Sequence, residues 1–143
     1  MIGDLNTLPK AAQKELLEAI DKTKENTRMT LVLALSYSAK WEMVEAVKNI
    51  ATRVKNGELD AEDINETVIS DSLTTTGMPD PELMIRTSGE TRISNFLLWQ
   101  LAYAELYFTP VFWPDFRKAN LYEAIYSYQN RERRFGKTSE QVL

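Results

Sequence analysis

The 143-residue chain contains neither cysteine nor histidine, and these absences exclude a large part of enzyme chemistry. Without cysteine there are no disulfides, no thiolate nucleophile and no cysteine ligand for a metal. Without histidine there is no imidazole base, no Ser–His pair and no imidazole metal ligand. Carboxylates, arginine, lysine, hydroxyls and backbone amides remain, and these groups suit Mg²⁺ and phosphate better than zinc.

The chain also has little net charge and no long apolar run. Its formal net charge is -4, so we expect no nucleic-acid partner and only a local site for an anion. The most apolar stretch, residues 96–104, is interrupted by Gln100 and is far shorter than the roughly 20 residues of a membrane span. The first residues lack the basic start and apolar core of a signal peptide. We therefore expect a cytoplasmic protein.

Apolar patterns predict an α/β fold. Residues 29–37 are apolar at odd and even positions alike, which is typical of a strand covered on both faces in a parallel sheet. Two shorter apolar runs, residues 83–86 and 106–108, are also interpreted as strands. Apolar spacing and end signals predict helices over residues 9–26, 41–56, a short segment after Asp60, 94–103, and from Asn120 into residues 131–136. The predicted class is α/β, a partial, mostly parallel sheet flanked by helices.

The first four residues, Met-Ile-Gly-Asp, read like the end of a strand followed by a turn. Two or three strands make a thin sheet, since sheets usually contain about four to six. No repeat, low-complexity segment or internal linker divides the chain. We therefore expect residues 1–143 to form a single partial domain whose N-terminal portion is absent.

The stretch "IRTSGETRIS" joins the end of a predicted strand to the start of a predicted helix. Ligands of open α/β sheets bind beyond the carboxyl ends of the strands, and Arg86 lies at such an end. Arg92 adds a second guanidinium suited to phosphate oxygens, and the amides of a helix beginning at Ser94 favour an anion. This pattern indicates a diphosphate site. An alternative interpretation is a surface loop whose arginines pair with Glu82 or Glu90.

Two further charged positions are candidates for function. Glu105 lies near the end of the helix predicted over residues 94–103, where a carboxylate opposes the helix dipole unless a cation is close. The basic run "RERRFG", residues 131–136, complements the dipole at the end of the last predicted helix and needs no ligand for that. From these residues alone, a solvated Glu105 and an ordinary helix end at Gly136 are the simpler interpretations.

Together, the segments "IRTSGETRISNFLLWQLAYAELYF", "FWPDF" and "NRERRFG" resemble the C-terminal half of the cis-prenyltransferases, and within that family the bacterial undecaprenyl pyrophosphate synthases. The resemblance runs over essentially the whole chain. It implies condensation of isopentenyl pyrophosphate with an allylic pyrophosphate such as farnesyl pyrophosphate, with Mg²⁺ as the cofactor. It also implies a homodimer whose lipid product can bring it to the membrane surface.

The resemblance carries over to individual positions of this sequence. One group of residues matches those that hold the diphosphate of isopentenyl pyrophosphate: Arg86, Arg92, Ile93 and Ser94. Glu105 matches the carboxylate involved in Mg²⁺ binding. Arg134 and Gly136 match a C-terminal Arg-x-Gly element that reaches the active site across a dimer interface.

The sequence departs from the family in several places. The family's catalytic aspartate lies in an Asp-Gly-Asn-x-Arg-Trp segment that does not occur here, so the chain has no assigned catalytic residue and is expected to be inactive alone. Residues 36–40 read Ser-Tyr-Ser-Ala-Lys, where many members carry Asn-aromatic-Gly-Gly-Arg. An alternative from another class is a noncatalytic partner subunit of a heteromeric cis-prenyltransferase, although a scaffold has no need of Arg86 or Glu105.

Overall fold

The computed structural model describes residues 1–131. The chain divides into two compact units, Met1–Met78 and Pro79–Leu143, and each is described by itself. No helix in the described part of the chain is both long enough and apolar enough to cross a membrane.

The first unit is mainly helical. It contains three α-helices, α1 Lys10–Thr23, α2 Ala39–Lys55 and α3 Glu66–Ser72, with 3₁₀ turns at Leu5–Thr7 and Ala61–Asp63. Side-chain caps define where α2 and α3 begin, because Ser38 accepts from the Trp41 N–H and Asn65 accepts from the Val68 N–H. The helices predicted over residues 9–26 and 41–56 are confirmed. Asp60 was predicted to be the N-cap of the short helix that follows it. In the structure its side chain caps the 3₁₀ turn at Ala61–Asp63, and the helix α3 begins later, at Glu66.

A buried carboxylate connects α2 to its surroundings in this unit. Glu42 is 1% exposed and is the largest fully buried side chain among the residues described. Its Oε2 accepts from the Tyr37 hydroxyl at 2.5 Å, and its Oε1 accepts from the Thr74 N–H at 2.9 Å and from the Thr74 hydroxyl. Because a buried carboxylate is tolerated only when donors surround it, these bonds fix the loop before α2 and the turn after α3.

Residues 29–37 do not form the strand that was predicted. The segment pairs through one isolated parallel bridge between Ile2 and Ala34. Met29 and Leu31 are 79% and 75% exposed, so the apolar pattern does not correspond to two covered faces. The prediction was wrong because an apolar run becomes a central strand only where neighbours pair with both edges, and Met1–Met78 supplies Ile2 alone in the described residues.

The second unit contains the two strands that the sequence predicted. Its described elements are β1 Leu83–Arg86, β2 Glu105–Phe108, a 3₁₀ turn at Trp113–Asp115 and α4 Lys118–Gln129. β1 and β2 are parallel, with Leu83 opposite Glu105 and Arg86 opposite Phe108, and α4 packs against β2. α4 begins before the predicted Asn120, whose side chain instead accepts from the Arg117 N–H at 2.8 Å. The α/β class is confirmed.

The helix predicted over residues 94–103 is absent from the structure. This stretch forms a series of turns, and Ser94, Asn95 and Leu97 have positive φ angles of 50°, 60° and 46°. L-residues in the left-handed region cannot continue a right-handed α-helix. One bond of helical spacing, from the Leu101 N–H to the Leu97 carbonyl at 2.9 Å, closes a single turn. The apolar spacing therefore predicted the wrong structure for this stretch, because the backbone angles of its first residues exclude an α-helix.

Gly3 lies where the first residues of the chain pass beside residues 33–35, which follow α1. The Ile2 N–H donates to the Leu33 carbonyl at 2.9 Å, and the Leu35 N–H donates to the Ile2 carbonyl at 3.1 Å. Gly3 has a φ of +104°, and a Cβ built on it would lie 2.1 Å from the Leu35 carbonyl oxygen. Only glycine fits this position without moving the bridge.

We expect Gly3→Ala to lower the free energy of unfolding by roughly 3 kcal/mol, since it adds a backbone clash to an unfavourable φ. Gly57→Ala is the matched control, because Gly57 has a φ of +74° but nothing within 4 Å of the added Cβ. The control should lose only about 1 kcal/mol, the strain of the φ itself. Urea unfolding of both variants measures the difference, and equal losses would contradict the close approach at Gly3.

Candidate functional site

The hydrogen bonds of the β1–β2 pair continue past the strand ends. The Thr109 N–H donates to the Arg86 carbonyl, the Gly89 N–H to the Thr109 carbonyl and the Ser88 N–H to the Val111 carbonyl, each at 2.9 Å. Ser88 and Gly89 have left-handed φ angles of 71° and 70°. The loop after β1 is therefore fastened to the segment after β2, and the amides of Ser88 and Gly89 are already used.

Arg86 is the last residue of β1 and its side chain is half-buried. Its Nε is buried and makes no hydrogen bond with the described residues. A buried polar group without a partner costs about 1–3 kcal/mol, more when it is charged. Of the alternatives weighed from the sequence, an Arg86–Glu82 ion pair is not observed among the described residues, and the Glu82 Oε2 accepts from the Tyr128 hydroxyl at 2.7 Å. In this loop, Arg86 is the side chain whose geometry favours an anionic ligand.

Arg92, Ile93 and Ser94 follow in the same loop with different surroundings. The Arg92 guanidinium pairs with the Glu90 carboxylate, and the Arg92 side chain is 68% exposed. For Arg92, the alternative of a surface ion pair with Glu90 is thus observed. Ile93 is half-buried and Ser94 is exposed. No helix begins at Ser94, so the helix N-terminus that was expected to favour an anion there is absent, while the diphosphate site itself stays a prediction.

Glu105 is the first residue of β2, and its N–H donates to the Glu82 carbonyl at 2.9 Å. It was expected near a helix end, and this is wrong because the preceding residues form turns. The simpler interpretation, a solvated Glu105, is also wrong: Arg131 Nη1 lies 2.8 Å from Glu105 Oε2, with the Arg131 and Glu105 side chains 31% and 27% exposed. The sequence assigned Arg131 only to a helix end. No local pattern could indicate a pair 26 residues apart.

The structure does not bring Arg86 and Glu105 together. Glu105 lies opposite Leu83 and Arg86 lies opposite Phe108, so the two residues are at opposite ends of the strand pair, roughly 10 Å apart along it. Paired residues share a face and successive residues alternate, which places Glu105 with Leu83 and Arg86 on the other face. The predicted residues therefore form a loop group at the end of β1 and a separate carboxylate at the start of β2.

The residues present can supply part of a Mg²⁺ site. The described residues contain no group of three or more acidic, histidine or cysteine side chains that could hold a metal ion. Mg²⁺ is commonly bound through one or two carboxylates together with substrate phosphates. Glu105 fits that pattern as a single carboxylate whose ion is completed by a diphosphate. Arg134 and Gly136 lie outside the described residues.

Tyr107, on β2, is the described group near Glu105 whose protonation is clearly perturbed. Burial raises the pKa of its hydroxyl above the ordinary value, and the nearby Glu123 carboxylate raises it further by charge and by accepting a hydrogen bond. The Arg131 guanidinium opposes this in part. The neutral phenol therefore links β2 to α4 on the face that carries Glu105.

Comparisons with known proteins show what this chain is similar to. Residues 1–136 match the prenyltransferase family model described as undecaprenyl diphosphate synthase. An isoprenyl transferase of Porphyromonas gingivalis is 54% identical over 141 residues, covering 99% of this chain and 56% of the relative. A ditrans,polycis-undecaprenyl-diphosphate synthase of Vibrio parahaemolyticus, (2E,6E)-farnesyl-diphosphate specific, is 51% identical over 142 residues, covering 99% and 57%. The chain spans about half the length of these relatives.

Two solved structures share the fold. Lavandulyl diphosphate synthase from Lavandula x intermedia, in complex with dimethylallyl diphosphate, superposes with a TM-score of 0.92 at 42% identity, covering 95% of this chain and 58% of that one. A probable undecaprenyl diphosphate synthase from Campylobacter jejuni gives a TM-score of 0.77 at 36% identity, covering 95% and 61%.

The raised pKa of Tyr107 predicts a pH dependence of stability. Its proton is held more tightly in the folded chain, so the stabilisation is complete below the unfolded pKa of about 10 and is lost as the pH rises through the folded pKa. We expect the free energy of unfolding to fall less steeply above about pH 10 in Tyr107→Phe than in the unmodified chain. Glu123→Gln should reduce the slope in part. Urea unfolding at several alkaline pH values measures this, and identical slopes would contradict it.

Proposed function

Because the chain belongs to the undecaprenyl diphosphate synthase family of cis-prenyltransferases, we propose that it forms the isopentenyl pyrophosphate-binding portion of such an enzyme. The reaction condenses isopentenyl pyrophosphate with an allylic pyrophosphate, farnesyl pyrophosphate in our proposal, to give a cis-polyprenyl pyrophosphate. Support for this donor comes from the farnesyl-diphosphate-specific relative, and support for an allylic site from the bound dimethylallyl diphosphate of the structural relative.

The observation that carries the proposal is the buried Nε of Arg86, which has no hydrogen-bond partner among residues 1–131. Phosphate oxygens suit this group, since a guanidinium can bind them through paired, charge-assisted bonds. The Arg86 backbone is fixed by the Thr109 N–H at 2.9 Å, so the side chain starts from a defined point. The binding energy serves mainly to orient the homoallylic carbon of the acceptor for attack.

Arg92 and Ser94 complete the proposed diphosphate site, with Ile93 beside them. The exposed ion pair between Arg92 and Glu90 contributes little stability, so Arg92 can exchange that carboxylate for a diphosphate oxygen at small cost. The exposed Ser94 hydroxyl is available as a further donor. Arg86 therefore supplies the pre-positioned contact, and the other residues close around the ligand.

We assign Mg²⁺ to Glu105 as the protein's carboxylate ligand. When bound, the ion would neutralise charge that develops on the departing diphosphate. Arg86 and Glu105 lie at opposite ends of the β1–β2 pair, so they act on different groups rather than through direct contact. Arg134 and Gly136 would reach the site of a partner copy in a homodimer.

The chain alone is proposed to be inactive, because no catalytic aspartate segment occurs in its sequence. The whole enzyme would act in the cytoplasm, where its lipid product brings it to the membrane surface. The alternative is a noncatalytic partner subunit of a heteromeric enzyme. The unpartnered Arg86 Nε favours the substrate-binding role, because a scaffold gains nothing from a buried N–H that lacks an acceptor.

We expect Arg86→Ala to weaken the binding of isopentenyl pyrophosphate to the chain by roughly 10- to 100-fold, the loss of a charged hydrogen-bonding group in a half-buried position. Arg117→Ala is the matched control, since Arg117 belongs to the same unit but its guanidinium donates to the Pro114 and Phe116 carbonyls. Isothermal titration calorimetry at fixed ionic strength measures both. Arg117→Ala should bind as the unmodified chain does.

Equal affinities of Arg86→Ala and Arg117→Ala would contradict the proposed role of Arg86. A chain that binds a nucleotide more tightly than isopentenyl pyrophosphate, and loses that binding in Arg86→Ala, would replace the proposal with an unrelated phosphate-binding module.

A further inference from the structure

The Arg131 side chain follows the end of α4 and its guanidinium is directed at β2. Its guanidinium donates to Glu105 Oε2 at 2.8 Å and to the Leu106 carbonyl at 2.9 Å, and its third acceptor is the Ser127 hydroxyl of α4 at 3.5 Å. A simple helix-end cation would face the last carbonyls of α4. The geometry instead aims Arg131 at the carboxylate assigned to the metal.

The ion pair with Arg131 leaves one of the two carboxylate oxygens of Glu105 for a metal ion. The bond occupies Oε2, while no hydrogen bond of the described residues engages Oε1. A divalent ion bound at Oε1 would lie within a few ångströms of the Arg131 guanidinium, and like charges at that distance repel strongly when the groups are largely withdrawn from water. The Glu105 side chain is 27% exposed, so solvent screens this repulsion only in part.

We propose that Arg131 is a positioning residue that sets the divalent-cation affinity of Glu105. It neutralises and holds the carboxylate before metal binding, and the ion must compete with it for that carboxylate. The Leu106 carbonyl remains as an acceptor for the guanidinium when Glu105 turns to the ion, so Arg131 need not leave β2. This inference rests on the proposed metal role of Glu105.

The test is a titration of the full chain with Mn²⁺ at a fixed concentration of inorganic pyrophosphate, which supplies the diphosphate oxygens of the proposed site. Free Mn²⁺ is measured by its electron paramagnetic resonance signal against the same titration without protein. Arg131→Gln should bind Mn²⁺ about two- to fivefold more tightly than the unmodified chain, because a competing cation has been removed. Arg131→Lys retains the charge and should bind close to the unmodified chain. Lys48→Gln is the matched control: it breaks a Lys48–Glu45 pair of 2.7 Å on α2 and should leave the affinity unchanged.

Glu105→Gln separates this inference from the proposal on which it rests. If Glu105→Gln abolishes Mn²⁺ binding while Arg131→Gln binds equally or more weakly than the unmodified chain, the inference is wrong and the metal role of Glu105 stands. If Glu105→Gln leaves Mn²⁺ binding intact, Glu105 is not the ligand and both fail. A merely structural Arg131 would not tighten binding in any variant. Should Arg131→Gln not fold, Arg131→Met removes the same charge and is titrated in its place. Tighter Mn²⁺ binding than in Lys48→Gln supports the proposal, and equal or weaker binding overturns it.

Discussion

The geometry of the candidate site depends on the parallel pairing of β1 with β2 and on its extension into the loops that follow. The pairing places Arg86 at the carboxyl end, and the amides of Thr109, Ser88 and Gly89 extend the bonding beyond it. A four-residue strand pair is short, so these extra bonds are what fix the loop. The same register places Glu105 at the other end and on the other face, within reach of Arg131.

The buried and half-buried charged groups differ in whether the protein supplies their hydrogen-bond partners. The buried Glu42 accepts from Tyr37 and Thr74, and Glu105 accepts from Arg131, so the fold supplies partners for both carboxylates. The buried Nε of Arg86 has no hydrogen-bond partner among the described residues. Since folded proteins rarely leave buried donors unpaired, this contrast supports the proposal that Arg86 binds a ligand.

Local signals in the sequence were sufficient for much of the fold and insufficient for the site. The strand ending at Arg86 and the helix over residues 41–56 follow from apolar runs and were predicted, whereas the Ser38 cap that starts this helix at Ala39 was not. The predicted strand over residues 29–37 and the predicted helix after Ser94 were wrong. Strand pairing decided the first and backbone angles decided the second, and apolar periodicity reports neither. The Glu105–Arg131 pair depends on tertiary packing, which spacing along the chain does not encode.

The central claim is that this chain is the isopentenyl pyrophosphate-binding portion of a cis-prenyltransferase. The most direct test is the incorporation of radiolabelled isopentenyl pyrophosphate by the protein of the reading frame that contains this chain, with farnesyl pyrophosphate and Mg²⁺. The account predicts a long polyprenyl product from that protein and none from residues 1–143 alone. A folded protein that yields no product would contradict it and favour the noncatalytic partner subunit, and product from residues 1–143 alone would contradict the partial-enzyme assignment.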